Sequence, residues 1–251
     1  MTDRCERWRR KVLLLAGCVI ALQAHAGVMP ESTRVIYREG QKERTLMLAN
    51  TNAYPVLVQV WTNHGEEALA LQQALTPLVV VPPVFRLQPG ALQGLRLILT
   101  GEHLPTDRES VFWLNIYEVP PTLSKASQPG PRVAVAMNTQ MKVFYRPKAL
   151  ADAGNSSATT LRFELRSAGE QKCLWVHNPS PYHASFSSLK LVEYGHERAV
   201  IPAHDMMTSP LSDRCYALPP GPAEGGQAQA QVQFTLVDDS GHFEQGSARL
   251  E

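Results

Sequence analysis

Long apolar runs are missing from this 251-residue chain: the longest, Val12 to Leu22, is eleven residues, against the roughly twenty a membrane-spanning helix needs. Catalytic signatures are missing too. There is no Gly-x-Ser-x-Gly elbow, no His-Glu-x-x-His and no glycine loop shaped for phosphates, so the commonest hydrolase, zinc-protease and nucleotide chemistries have no sequence support. Aromatic residues make up only 7%, net charge is +1, and no basic block occurs beyond the N-terminus. These features argue against a nucleic-acid partner. The four cysteines are too few and too scattered for a zinc ribbon. His177, His183, His196 and His204 lie on separate segments. His204-Asp205-Met206-Met207 has the residue types of a copper site but reads more simply as a turn histidine followed by core methionines. No cofactor and no metal are expected.

What is present begins with an export signal. Arg4, Arg7, Arg9, Arg10 and Lys11 precede the apolar run, and Ala24-His25-Ala26 supplies a small-x-small cleavage site. Residues 1–26 therefore read as a removable leader, with the mature chain starting at Gly27. Leu15-Ala16-Gly17-Cys18 offers a competing lipoprotein reading, but the apolar run continues past the cysteine. Losing the five basic and two acidic residues of the leader turns the charge balance from +1 to −2. Cys173 and Cys215 remain, and an even pair in an oxidising compartment reads as a disulfide rather than as two buried thiols.

Beyond the leader the pattern is β throughout. Nineteen prolines and sixteen glycines punctuate short alternating segments. Strands are expected at Thr33–Tyr37, Arg44–Ala49, Val56–Thr62, Leu78–Val81, Leu92–Leu99, Ser110–Val119 and Arg132–Tyr145. In two of them Val56, Val58 and Val60 alternate with Leu57, Gln59 and Trp61, and Phe112, Leu114 and Ile116 with Trp113, Asn115 and Tyr117. Such spacing indicates an immunoglobulin-type antiparallel sandwich over 27–147. Glu66–Leu75 has the makings of one helical turn. Residues 148–160, small and polar, read as a linker. Strand signals resume at Leu161–Arg166, Lys172–His177, Ala184–Val192, Ala199–Ile201, Met206–Ser209 and Gln231–Val237, forming a second, smaller sandwich over 161–251.

One segment stands apart. Pro131 to Pro147 holds an alternating pattern about twice the usual strand length. Val133, Val135, Met137, Thr139 and Met141 share one face; Ala134, Ala136, Asn138, Gln140 and Lys142 share the other. Its first half is what a strand looks like when it lends apolar side chains to another molecule. First and last strands of a sandwich often lie side by side, so Arg34 and Lys142 can converge on a carboxylate or phosphate; otherwise they are two surface cations. Glu109, Arg146 and Asp239 are further charged positions, readable as scattered solvated groups. A sugar- or metal-binding sandwich module and an enzyme on the same scaffold remain open on these grounds.

Leu104–Pro120 (LPTDRESVFWLNIYEVP) and the ending Met141–Pro147 (MKVFYRP) resemble the signature segments of the periplasmic pilus-assembly chaperones of the chaperone–usher pathway. Thr33–Tyr37, Val81-Pro82-Pro83 and Asn178-Pro179-Ser180-Pro181-Tyr182 extend the resemblance over nearly the whole mature chain. It implies two immunoglobulin-like sandwiches set at an angle around a cleft, and a non-enzymatic periplasmic function. The partners implied are pilus subunits and an outer-membrane usher. Arg34 and Lys142 take the positions that anchor a subunit's C-terminal carboxylate. Val133, Val135 and Met137, with Thr139 and Met141 continuing the same face, take the donor-strand positions. Glu109, Arg146 and Asp239 match an interdomain ion network, and Pro82 is a candidate for a cis bond. A short segment at Thr122–Pro131 and the absence of a cysteine pair from the first domain place the chain with the members that serve rod-type pili. An apolar edge at Val133–Met137 also invites self-association when no subunit is bound.

Overall fold

The computed structural model describes residues 27–65, 76–101, 103–121, 135–150, 160–168, 171–193, 195–220 and 230–251. The expected leader, the Glu66–Leu75 turn, the Thr122–Pro131 segment, Val133 and most of the 148–160 linker lie outside these residues.

The first domain contains β1 (Val28–Pro30), β2 (Arg34–Arg38), β3 (Arg44–Asn50), β4 (Val56–Asn63), β5 (Leu78–Val81), β6 (Val84–Leu87), β7 (Leu92–Leu99), β8 (Ser110–Val119) and β9 (Met137–Arg146). They form two sheets, ordered β1-β3-β7-β5 and β2-β9-β8-β4-β6. Period-two alternation explains how the sheets close on each other. Val56, Val58 and Val60 of β4, Phe112, Leu114 and Ile116 of β8, and Leu46, Leu48, Leu95 and Leu97 from the opposite sheet meet in one buried core.

The second domain contains β10 (Arg162–Ala168), β11 (Gln171–Asn178), β12 (Ala184–Glu193), β13 (His196–Ala199), β14 (Met207–Thr208), β15 (Ser212–Ala217), β16 (Gln231–Val237) and β17 (Phe243–Arg249). Sheets β10-β11-β15 and β13-β12-β16-β17 enclose a separate core around Phe163, Phe186, Tyr216 and Phe234. Cys173 and Cys215 form a disulfide across the neighbouring strands β11 and β15. No helix among the described residues is long and apolar enough to cross a membrane.

Four strands escape the alternation rule. β1 is only three residues long, and β6 follows the cis Val81–Pro82 bond so closely that it merges with β5 in the sequence. β15 (SDRCYA) and β17 (FEQGSAR) are polar, because each closes one side of its sheet and turns much of its length to solvent. The segment expected as a strand at Ala199–Ile201 is displaced: Gly195 takes a left-handed φ of 79°, the chain turns there, and pairing with β12 begins at His196.

Candidate subunit-binding site

The site is built on β9. Its whole length from Met137 to Tyr145 pairs antiparallel with β8. On its other side β2 runs parallel to it, but only from Lys142 to Arg146. The backbone edge of Met137–Met141 on that side therefore has no partner strand among the described residues. Val135 and Met137 are exposed, at 73% and 44%. Apolar side chains and an unpaired backbone edge thus coincide, a combination that proteins ordinarily avoid.

The donor set read from sequence needs one correction. Met141 is 2% exposed and packs in the first domain's own core with Val143 and Tyr145. Thr139 is half-buried. The alternating face continues unbroken, but once β2 joins the sheet this domain uses that face for itself. Among the described donor positions only Val135 and Met137 stay exposed.

The parallel pairing of β2 with β9 sets Arg34 directly beside Lys142. Both lie on the face opposite Met141 and Val143. The Arg34 guanidinium rests 5.7 Å from the Phe144 ring centroid and donates from Nη1 to the Val237 carbonyl at 2.9 Å, so it reaches the second domain. Its Nε is buried without a hydrogen-bond acceptor. The Lys142 ammonium stands 5.3 Å over the Trp113 ring. Burial pushes Lys142 down to about 8 and is helped by Arg34 and Arg214, while Asp205 partly offsets it. Burial also lowers Arg34, against the attraction of Asp239, Asp238 and Glu109. The surroundings are thus less free of negative charge than the sequence suggests. Even so, neither cation has a side-chain carboxylate within ion-pair distance among the described residues.

Behind this pair lies the ion network. Arg146, buried at the end of β9, donates to Glu109 at 2.7 and 2.9 Å and to Asp239 at 2.6 and 2.9 Å. Burial opposes the Arg146 charge, but hydrogen bonds and attraction from Asp239 and Glu109 outweigh it and raise its pKa. Asp239, not its neighbour Asp238, makes the bridge; Asp238 accepts from the amides of Ser240 and His242 and shapes the turn. Glu109 also accepts from the His183 backbone at 3.0 Å, and its own amide donates to the Pro181 carbonyl at 2.9 Å. The Asn178–Tyr182 loop that presents these groups is organised by Asn178. Its amide donates to the Tyr182 and Ser209 carbonyls, and its oxygen accepts from Ser180. The Tyr182 hydroxyl donates to the Leu150 carbonyl at 2.8 Å, and the Tyr182 ring lies under Arg146. One set of side chains thus joins both domains beside the Arg34–Lys142 pair.

Sequence reasoning overlooked Trp113, Phe144 and His183 as walls of this region. Phe144 packs on His183 at 5.3 Å. The available signal was Phe144 itself, an apolar residue on the face where Lys142 and Arg146 also sit. His204 packs on Trp113 and Asp205 pairs with Arg214, so this stretch serves the same neighbourhood.

Known proteins resemble this chain in sequence and fold. Residues 27–151 match the family described as pili and flagellar-assembly chaperone, PapD N-terminal domain, and residues 156–248 match the pili assembly chaperone PapD, C-terminal domain. The chaperone protein FimB/FhaD of Bordetella pertussis is 34% identical over 94% of this chain and 95% of its own length. The probable fimbrial chaperone YadV of Escherichia coli is 33% identical over 90% of each chain. The crystal structure of YadV superposes with a TM-score of 0.73 at 32% identity, covering 90% of this chain and all of that one. Salmonella enterica SafB, solved in complex with the SafA pilin, gives 0.68 at 27% identity, covering 89% and 96%. With both of its sandwich domains matched and the charged bridge between them in place, the chain belongs to the PapD-like pilus-assembly chaperones, a family without enzymatic activity.

Proposed function

We propose that this chaperone is exported to the periplasm by a leader cleaved after Ala26, captures fimbrial subunits on β9 and passes them to an outer-membrane usher. A subunit lacking its own last strand carries an open apolar groove and unpaired backbone groups. The free edge of β9 would satisfy that ladder, while Val133, Val135 and Met137 fill the groove, a strand-addition mode of recognition. Their burial contributes roughly 5–9 kcal/mol before the costs of association. Arg34 and Lys142 would hold the subunit's terminal carboxylate, Arg34 through a forked donor pair. That anchor sets register, because a slip of one residue turns the apolar set outward. Glu109, Arg146 and Asp239 keep the second domain in place beside the anchor. SafB, a relative solved with a pilin, supports a subunit as the partner, and SfaE, another structural relative, is described as periplasmic.

The observation that carries this reading is a juxtaposition along β9: Lys142 stands beside Arg34 of β2, and the stretch of β9 before it has an edge unpaired among the described residues, with exposed Met137 at its start and exposed Val135 just ahead. Arg34→Ala and Lys142→Ala are expected to abolish co-purification with a subunit from periplasm while leaving circular dichroism unchanged. Full subunit recovery with both variants refutes the anchor. Free chaperone at high concentration is expected to self-associate through the same edge, which sedimentation of wild type and Val135→Asp distinguishes.

A further inference from the structure

The core face of β8 reads Phe112, Leu114, Ile116, and its next inward position is a carboxylate, Glu118. Glu118 is buried at 6% exposure. Its contacts are neutral. Oε2 accepts from the Val28 amide at 2.8 Å, and Oε1 accepts from the Asn52 side-chain amide at 2.6 Å. No Lys, Arg or His pairs with it among the described residues. Glu109 is equally buried but rests on Arg146, so Glu118 is the carboxylate whose charge is left uncompensated. A buried charge in that condition is costly.

Gly27, the residue before Val28, also lies against this carboxylate. A Cβ built on Gly27 would come 2.8 Å from Glu118 Oε2 and 2.7 Å from Met137 Cε, and its φ is +83°, so only glycine fits. The Gly27 nitrogen shares the same Cα and stands within about 5 Å of that oxygen by bond geometry alone. Gly27 is fixed in place, since its carbonyl accepts from the Thr51 amide at 3.0 Å and the Thr51 hydroxyl at 2.6 Å.

We propose that Glu118 is the receptor for this chain's own α-ammonium group, formed at Gly27 when the leader is removed. This rests on the cleavage after Ala26. Hydrolysis of the Ala26–Gly27 bond consumes one water; its oxygen completes the Ala26 carboxylate, and the Gly27 nitrogen departs as an amine that is protonated near neutral pH. The new cation and the Val28 amide then share one carboxylate. The pair fastens β1 to the sheet and, through Met137 over Gly27, seats the start of the free half of β9. Processing and readiness of the capture edge are thereby joined at one buried contact.

The test uses full-length mature protein from periplasm, with its N-terminus read by mass spectrometry and the α-amine titrated by NMR after isotopic labelling. An opposite charge at this range raises the amine by about one to two units above its ordinary value near 8. Glu118→Gln is expected to return it to the ordinary range, as is one alanine inserted ahead of Gly27, which moves the ammonium by about 3.8 Å. An ordinary value in wild type, or an elevated one that both changes leave untouched, overturns the proposal. So does a mature chain that starts anywhere other than Gly27. Subunit capture through Arg34 and Lys142 is scored on the same preparations, so the chaperone reading stands or falls separately.

Discussion

Strand β9 is one strand in two environments. From Lys142 onward it has neighbours on both sides, and Val143, Phe144, Tyr145 and Arg146 are buried. From Met137 to Met141 its one neighbour among the described residues is β8; Met137 and Val135 just ahead of it are exposed, and burial begins at Met141. The alternation of residue types is the same in both halves; the arrival of β2 makes the difference. A second partner turns an apolar face into a core, and a missing partner leaves it on offer. On the proposed function the buried half is a foundation and the free half the working edge, with Arg34 and Lys142 at the join.

The most damaging way to break this contrast is to empty the buried half. Arg146→Ala strands Glu109 without its cation at the domain interface, and loss of about 3–5 kcal/mol is expected by chemical denaturation. The melting profile should also split, because the same side chain bridges to Asp239. Next comes a lesion that spares the strand. Reducing Cys173–Cys215 is expected to cost about 2–4 kcal/mol, read as a lower Tm, with subunit capture retained at temperatures where the second domain stays folded.

The join itself titrates. Lys142 in the free protein sits near 8, below the ordinary lysine value of 10.5. Between those limits the unfolded chain binds the proton that the folded chain has released, so this group adds stability as pH rises from about 8 to 10.5. Carboxylate capture needs the charged form and runs the other way. Affinity for a subunit is expected to fall as pH climbs through about 8, and Lys142→Arg should flatten that fall. The gentlest change belongs to the free half. Val135→Asp should shift stability by no more than about 0.5 kcal/mol, since the side chain is exposed, yet remove subunit binding. A matching loss of stability would mean that the edge is not free.

Much of this was legible from residue order. β5, β7, β8 and β16 fall at the expected residues, because inward positions in a sandwich must be apolar and Val, Ile, Leu and Phe mark them. The convergence of Arg34 on Lys142 was expected from the habit of first and last strands lying side by side, and the ion network through Asp239 from a resemblance; the geometry brings both sets of residues together. β15 and β17 were not legible, since polar strands bordering a sheet carry no alternating apolar signal. Met141 was misassigned for a related reason: a donor position and a core position are the same residue type on the same face. Glu118 left a mark, a carboxylate on an apolar stripe, but its meaning required knowing that Gly27 lies beneath it.

By itself the sequence determined the β class, the two-sandwich division of the chain and the face on which each β9 side chain lies, because local alternation and turn residues act over a few positions. Where β9 loses its second neighbour, which carboxylate meets Arg146 and what approaches Glu118 were decided only by the tertiary structure. Those facts depend on pairing between segments far apart in the chain, and the register of such pairing comes from the packing of the whole domain, not from any one stretch of residues.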